Sequence, residues 1–108
     1  MAIKIEMLRC FHAVVDNGNL MQAATALGRT PSAVSMMLKQ LEDHIGAPLF
    51  EAGRKSRLTA LGTMIHTEAR RELIHFDKSV SMIDALAQSQ AGLVRLAVTP
   101  SAANTILP

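Results

Sequence analysis

Arg54, Lys55 and Arg57 place three cations within four residues, with Glu51 as the nearby acid. Such a cluster on a turn has the chemistry to contact phosphate oxygens or reach into an adjacent minor groove. A solvated loop is the competing reading, because Lys and Arg are common on surfaces. Upstream, Ser32, Ser35, Met36 and Lys39 recur at helical spacing. A Ser hydroxyl can donate to or accept from a base or phosphate. Met can touch a thymine methyl, and Lys can pair with phosphate or guanine. Thr30 and Pro31 open this segment. A capping hydroxyl followed by a residue with no N–H to lose starts a helix well, and the free N–H groups of that first turn suit a phosphate.

Catalytic chemistry finds little support. His12, His44, His66 and His75 show no metal-ligand spacing and no clustered acid partners. No Gly-rich phosphate loop is present. The expectation is a protein that is not an enzyme, with no metal and no cofactor. Met7, Met21, Met36, Met37, Met64 and Met82 read mostly as helical core or seam residues. A single cysteine excludes an intramolecular disulfide and a multi-cysteine zinc site, and Cys10, among Leu8, Phe11 and Val14, reads as a small buried hydrophobe.

The elements that must position these residues are helical. The 108 residues are 49% hydrophobic but only 3% aromatic, which suits helices packed through Leu, Ile, Val, Met and Ala better than a β-sandwich. A net charge of +2 permits nucleic-acid binding without requiring it. The N-terminus has no signal-peptide pattern and no stretch is long enough to span a bilayer, so a soluble, cytoplasmic protein without a membrane partner is expected.

A first helix is expected over about residues 4–16, with Ile5, Leu8, Phe11 and Val15 on its apolar face. Asn19 caps a second, with Gln22 placed for a capping box, and Gly28 ends it. Its adjacent alanines, Ala23 and Ala24, imply close approach by another helix. The third buries Val34, Leu38, Leu41 and Ile45 and ends at Gly46. Two short helices around Gly28-Arg29 make a helix-turn-helix pattern over about residues 20–39. A small hairpin, or a plain loop, follows over about 49–59.

Thr59 caps a long helix over about 61–90, with Leu61, Ile65, Ala69, Leu73, Phe76, Val80 and Ile83 recurring at steps of four and three. Thirty residues make a rod of about 45 Å, too long for a small domain to cover, so this stripe is expected to pair with a second copy. Leu93–Thr99 reads as a lone strand, the start of a further domain within 91–108.

The block from Ala23 to Gly62 resembles the DNA-binding domain of LysR-type transcriptional regulators. Its specific elements are Ala23-Ala24, the spacing from Ser35 to Leu41-Glu42, Gly46-x-Pro48-Leu49-Phe50-Glu51 and Leu58-Thr59-x-x-Gly62. The resemblance extends along the expected linker helix and covers nearly the whole chain. It implies a winged helix-turn-helix over 1–60 (three helices plus a short β-hairpin wing), then a dimerisation helix. It also implies double-stranded DNA as partner, homodimers that assemble further in full-length forms, and a C-terminal sensor of small molecules. Only the first strand and turn of that sensor would be present, so no inducer is expected to bind this chain. Members commonly carry Gln then Pro after the cap, Arg after the second Ser and Arg after the wing Glu. Here Pro31 then Ser32, Met36 and Ala52 stand instead, which removes hydrogen-bond donors from the reading surface. Two alternatives are an interaction module that pairs with a full-length regulator and modulates it, and a winged-helix domain of another regulator class such as the molybdate-responsive repressors.

Overall fold

The computed structural model describes residues 2–52 and 54–96. In chain order the elements are α1 (Ile5–Asn17), α2 (Leu20–Leu27), α3 (Pro31–Ile45), β1 (Phe50–Glu51), β2 (Arg54–Leu58) and α4 (Ala60–Leu96). Residues 1–73 form one compact unit, and a second begins at Ile74.

In the first unit α1 packs on both α2 and α3. Its buried face is Met7, Cys10, Phe11 and Val14. The expected stripe of Ile5, Leu8, Phe11 and Val15 was therefore out of phase: only Phe11 is fully buried, and the other three are partly covered at the flanks. Both sets have helical spacing, and a helix rich in apolar residues does not reveal its phase until it packs.

The Asn19 carboxamide oxygen accepts from Gln22 N at 2.8 Å and opens α2. Ala23 and Ala24 are buried where α2 meets its neighbours, as the small side chains suggest. Gly28 closes the helix at φ 67°, the left-handed region open to glycine, while Arg29 N donates to Ala24 O at 2.9 Å. This fixes the tight corner into α3. Thr30 Oγ1 accepts from Ala33 N at 3.1 Å, with Pro31 in the first turn, and Val34, Leu38 and Leu41 face the core.

β1 and β2 pair antiparallel, Phe50 opposite Leu58 and Glu51 opposite Arg54, with a register irregularity between Phe50 and Glu51. Phe50 turns inward and meets Phe11 edge to face, ring centroids 5.5 Å apart. Thr59 then does two jobs. Its hydroxyl donates to Pro48 O at 3.0 Å and accepts from Gly62 N at 2.9 Å, tying the hairpin to the first turn of α4.

In α4, Ala69 and Leu73 are buried, and Leu61 and Ile65 pack half-buried against the core of the first unit. In the second unit every described side chain, residues 74–90, is exposed. Of the strand expected over Leu93–Thr99, Leu93–Leu96 are helical, and 97–108 lie outside the described residues. A strand needs a neighbour to satisfy its backbone groups, whereas a helix satisfies them within itself. Gly92 does not stop it. No described helix is long and apolar enough to cross a membrane.

The expectation that the histidines lack acid partners also fails. His12 Nε2 lies 3.1 Å from an Asp16 carboxylate oxygen, and His12 Nδ1 lies 3.2 Å from His66 Nε2. The two histidines are far apart in sequence and meet only when α4 folds back on α1.

Candidate nucleic-acid interface

Helical spacing gives α3 two faces. Val34, Leu38 and Leu41 point inward, which leaves Pro31, Ser32, Ser35, Met36 and Lys39 outward, all exposed. These five, with Leu20 from the start of α2, line a shallow groove of about 520 Å³. Thr30 is exposed at its edge but its hydroxyl is already engaged as the cap. Met36 is 60% exposed, a large apolar side chain with no core role. Leu20 packs partly buried against the core and also borders this groove at the start of α2.

The expected basic cluster divides. Arg54, Lys55 and Arg57 are all exposed. Alternation along β2 sends Lys55 and Arg57 to one face and Arg54 to the other. Lys55 and Arg57 share a recess of about 280 Å³ with Phe50, Glu51, Leu58, Val15 and Thr63. The Lys55 ammonium sits 5.2 Å from the Phe50 ring centroid, a cation–π contact that steers the side chain toward the body of the domain. Arg54 is the wing cation that stands away from that recess.

Two anchors that sequence reasoning left unexplained hold the wing beside α3. Glu42, in the last turns of α3, accepts from Leu49 N at 2.7 Å. A Cβ built on Gly62 would overlap the Leu49 carbonyl oxygen, so only glycine lets the first turn of α4 approach this closely. Both residues belong to the spacing motifs quoted above, but the motif alone does not say what they touch. At the corner, Arg29 is drawn to Glu6 of α1 at 2.6 Å, which directs its guanidinium toward α1.

The seven residues expected at a dimer seam also divide. Leu61, Ile65, Ala69 and Leu73 lie buried or half-buried against the first unit's own core. The winged-helix body covers the opening turns of the helix, which a length argument alone did not anticipate. Phe76, Val80 and Ile83 are 37%, 38% and 61% exposed, in company with Ile74, Met82 and Leu86.

Comparison with known proteins matches this arrangement. The family model described as "Bacterial regulatory helix-turn-helix protein, lysR family" matches residues 5–63. The chain is 36% identical over 107 residues to the probable HTH-type transcriptional regulator LrrA of Synechococcus elongatus, covering 98% of this chain and 36% of that protein. It is 27% identical over 106 residues to the HTH-type transcriptional regulator YtlI of Bacillus subtilis, covering 98% and 34%. The chain thus spans about a third of the length of the curated relatives it matches. Among solved structures, the BenM DNA-binding domain in complex with catB site 1 DNA superposes with a TM-score of 0.72 at 29% identity, over 78% of this chain and 96% of that one. Vibrio fischeri DarR in complex with DNA gives 0.73 at 29% identity, over 82% and 30%. The chain belongs to the bacterial regulatory helix-turn-helix proteins of the lysR family.

Proposed function

We propose that this chain is the DNA-binding and linker portion of a transcriptional regulator. It binds double-stranded DNA with the outward face of α3 in the major groove and the wing against the backbone or minor groove. The observation that carries this reading is the exposed row Ser32, Ser35, Met36 and Lys39 on a helix whose opposite face is locked in the core. The DNA complexes of the BenM, DarR and CbnR relatives support it. In this reading Ser35 and Met36 face base edges, Lys39 and Ser32 reach base or phosphate, and the first turn of α3, with Thr30 and Pro31, lies near a phosphate. Arg54 is the principal wing contact, and Lys55 and Arg57 supply local positive potential.

The proposed assembly is a homodimer through α4. Ile74, Phe76, Val80, Met82, Ile83 and Leu86 put a run of large apolar side chains in solvent, which a second copy of the helix would cover. Two copies so joined would hold two α3 helices at a fixed half-site spacing. A role as a pairing module alone is not favoured, since it leaves the α3 face and the wing cations without a task. The relatives are named as transcriptional regulators, and the proposal includes no catalytic step.

Gel-shift selection from fragmented genomic DNA tests the reading. The expected result is enrichment of duplexes with two-fold symmetric half-sites, bound with an affinity that falls steeply as salt rises. No retention of any duplex at low salt would overturn it.

A further inference from the structure

His12, Asp16 and His66 form a cluster with no part in the DNA reading. His12 and Asp16 are four residues apart on α1 and so project from one face of the helix. His66 comes from α4, and its ring stacks on that of His12 at 15°, with centroids 5.3 Å apart. His12 Nδ1 and His66 Nε2 are 3.2 Å apart, and His12 Nε2 and Asp16 Oδ2 are 3.1 Å apart. One ligand atom from each of the three residues lies within 4.8 Å of the other two. We propose that His12, Asp16 and His66 bind a divalent transition-metal ion, zinc foremost, which pins α1 to the opening turns of α4.

The geometry and the donor set both point this way. Two nitrogens each about 2.0–2.1 Å from a tetrahedral zinc lie roughly 3.3 Å apart. The two imidazole nitrogens already have that spacing. Asp16 sits on the Nε2 side of the His12 ring, and its side chain, 59% accessible, would swing from that contact to reach an ion held at Nδ1. Two imidazoles with one carboxylate suit zinc and its neighbours, whereas calcium and magnesium prefer oxygen throughout. The His12 side chain is 30% accessible, which leaves a path for the ion and a fourth position for water. An ion held by the folded chain alone raises the melting temperature as its concentration rises.

The test uses the whole chain without a histidine tag, stripped with chelator and titrated with zinc chloride by calorimetry and thermal melting. About one ion per chain is expected, with loss of either outer ligand, in Asp16→Asn or His66→Gln, weakening binding by about tenfold or more. The zinc-dependent rise in melting temperature should shrink in both variants and persist in His75→Gln. Asp16→Asn is decisive should His66→Gln fold poorly, since an exposed Asp contributes nothing to the core. Zinc bound equally well by Asp16→Asn and wild type, or no heat and no shift in melting temperature at saturating zinc, would overturn the site and leave a hydrogen-bonded ring stack. The outcome is independent of whether the chain binds DNA.

Discussion

The carboxylate of Glu42 accepts a 2.7 Å hydrogen bond from the backbone N–H of Leu49, joining the end of α3 to the segment that enters the wing. Leu49 is fully buried, so without this partner its N–H would have little access to water. Glu42→Ala should cost about 1–3 kcal/mol, the usual penalty for orphaning a buried donor. Glu42→Gln keeps an acceptor and should cost much less. Urea denaturation of the two variants checks the difference, and equal losses would remove the anchoring role.

Gly62 has a different part in the same junction. Any side chain there meets the Leu49 carbonyl, which is backbone and cannot rotate away. Gly62→Ala is expected to destabilise by about 1–3 kcal/mol through overpacking, although alanine is the better helix former. A melting temperature at or above wild type would show that α4 shifts at no cost.

The divided wing predicts unequal variants. Arg54→Ala should weaken binding to all duplexes alike and lower the salt slope by about one. Lys55→Ala should do less, since this ammonium already lies over Phe50. Met36→Ala or Ser35→Ala should instead alter preference at particular base positions, by about 1–3 kcal/mol each. Anisotropy titrations at several salt concentrations separate these outcomes, and three identical profiles would count against the assignments on α3.

Substitutions along α4 should fall into two kinds. Ala69→Asp buries a charge in the core and should unfold the chain. Ile83→Asp, at a position 61% exposed, should leave the melting of the winged-helix body intact while halving the mass seen by light scattering. A dimeric mass retained by Ile83→Asp would mean that association does not use this face.

Cys10 is fully buried, and burial pushes its thiol pKa above the ordinary value. The reactive thiolate is thereby suppressed. A thiol reagent should label nothing in the native chain at neutral pH and one group after denaturation. Rapid native labelling would contradict the packing of α1.

Much of this fold is legible in the sequence because its punctuation is local. Asn19, Thr30 and Thr59 cap the helices they precede, and Gly28 marks the corner. What the sequence hides is set by distant packing. Met7 and Cys10 are buried as their residue types suggested, but Ile5, Leu8 and Val15 lie at the flanks because α2 and α3 fix the rotation of α1, which spacing alone does not show. The stripe on α4 is continuous in sequence but changes its surroundings at Leu73, and no residue type announces that. His12 and His66 come together across 54 positions, so no short-range motif reveals them. Leu93–Leu96 has strand-like composition yet continues a helix, since no described neighbour offers it a ladder. On the candidate interface, the α3 face was readable from period alone. The split of the wing cations follows from strand alternation, which a loop reading had blurred.

That the core contacts end at Leu73 bears on how such a chain can diverge. Val80, Met82, Ile83 and Leu86 are exposed, so in the proposed dimer exchanges there would alter the partner-facing surface without reopening the core of residues 1–73. Leu61, Ile65, Ala69 and Leu73 have no such freedom, because each packs on the domain beneath it. If the proposed dimer forms through this face, a duplicated copy would sooner change whom it pairs with than how it folds, because the same helix packs on the core at its start and is exposed further on.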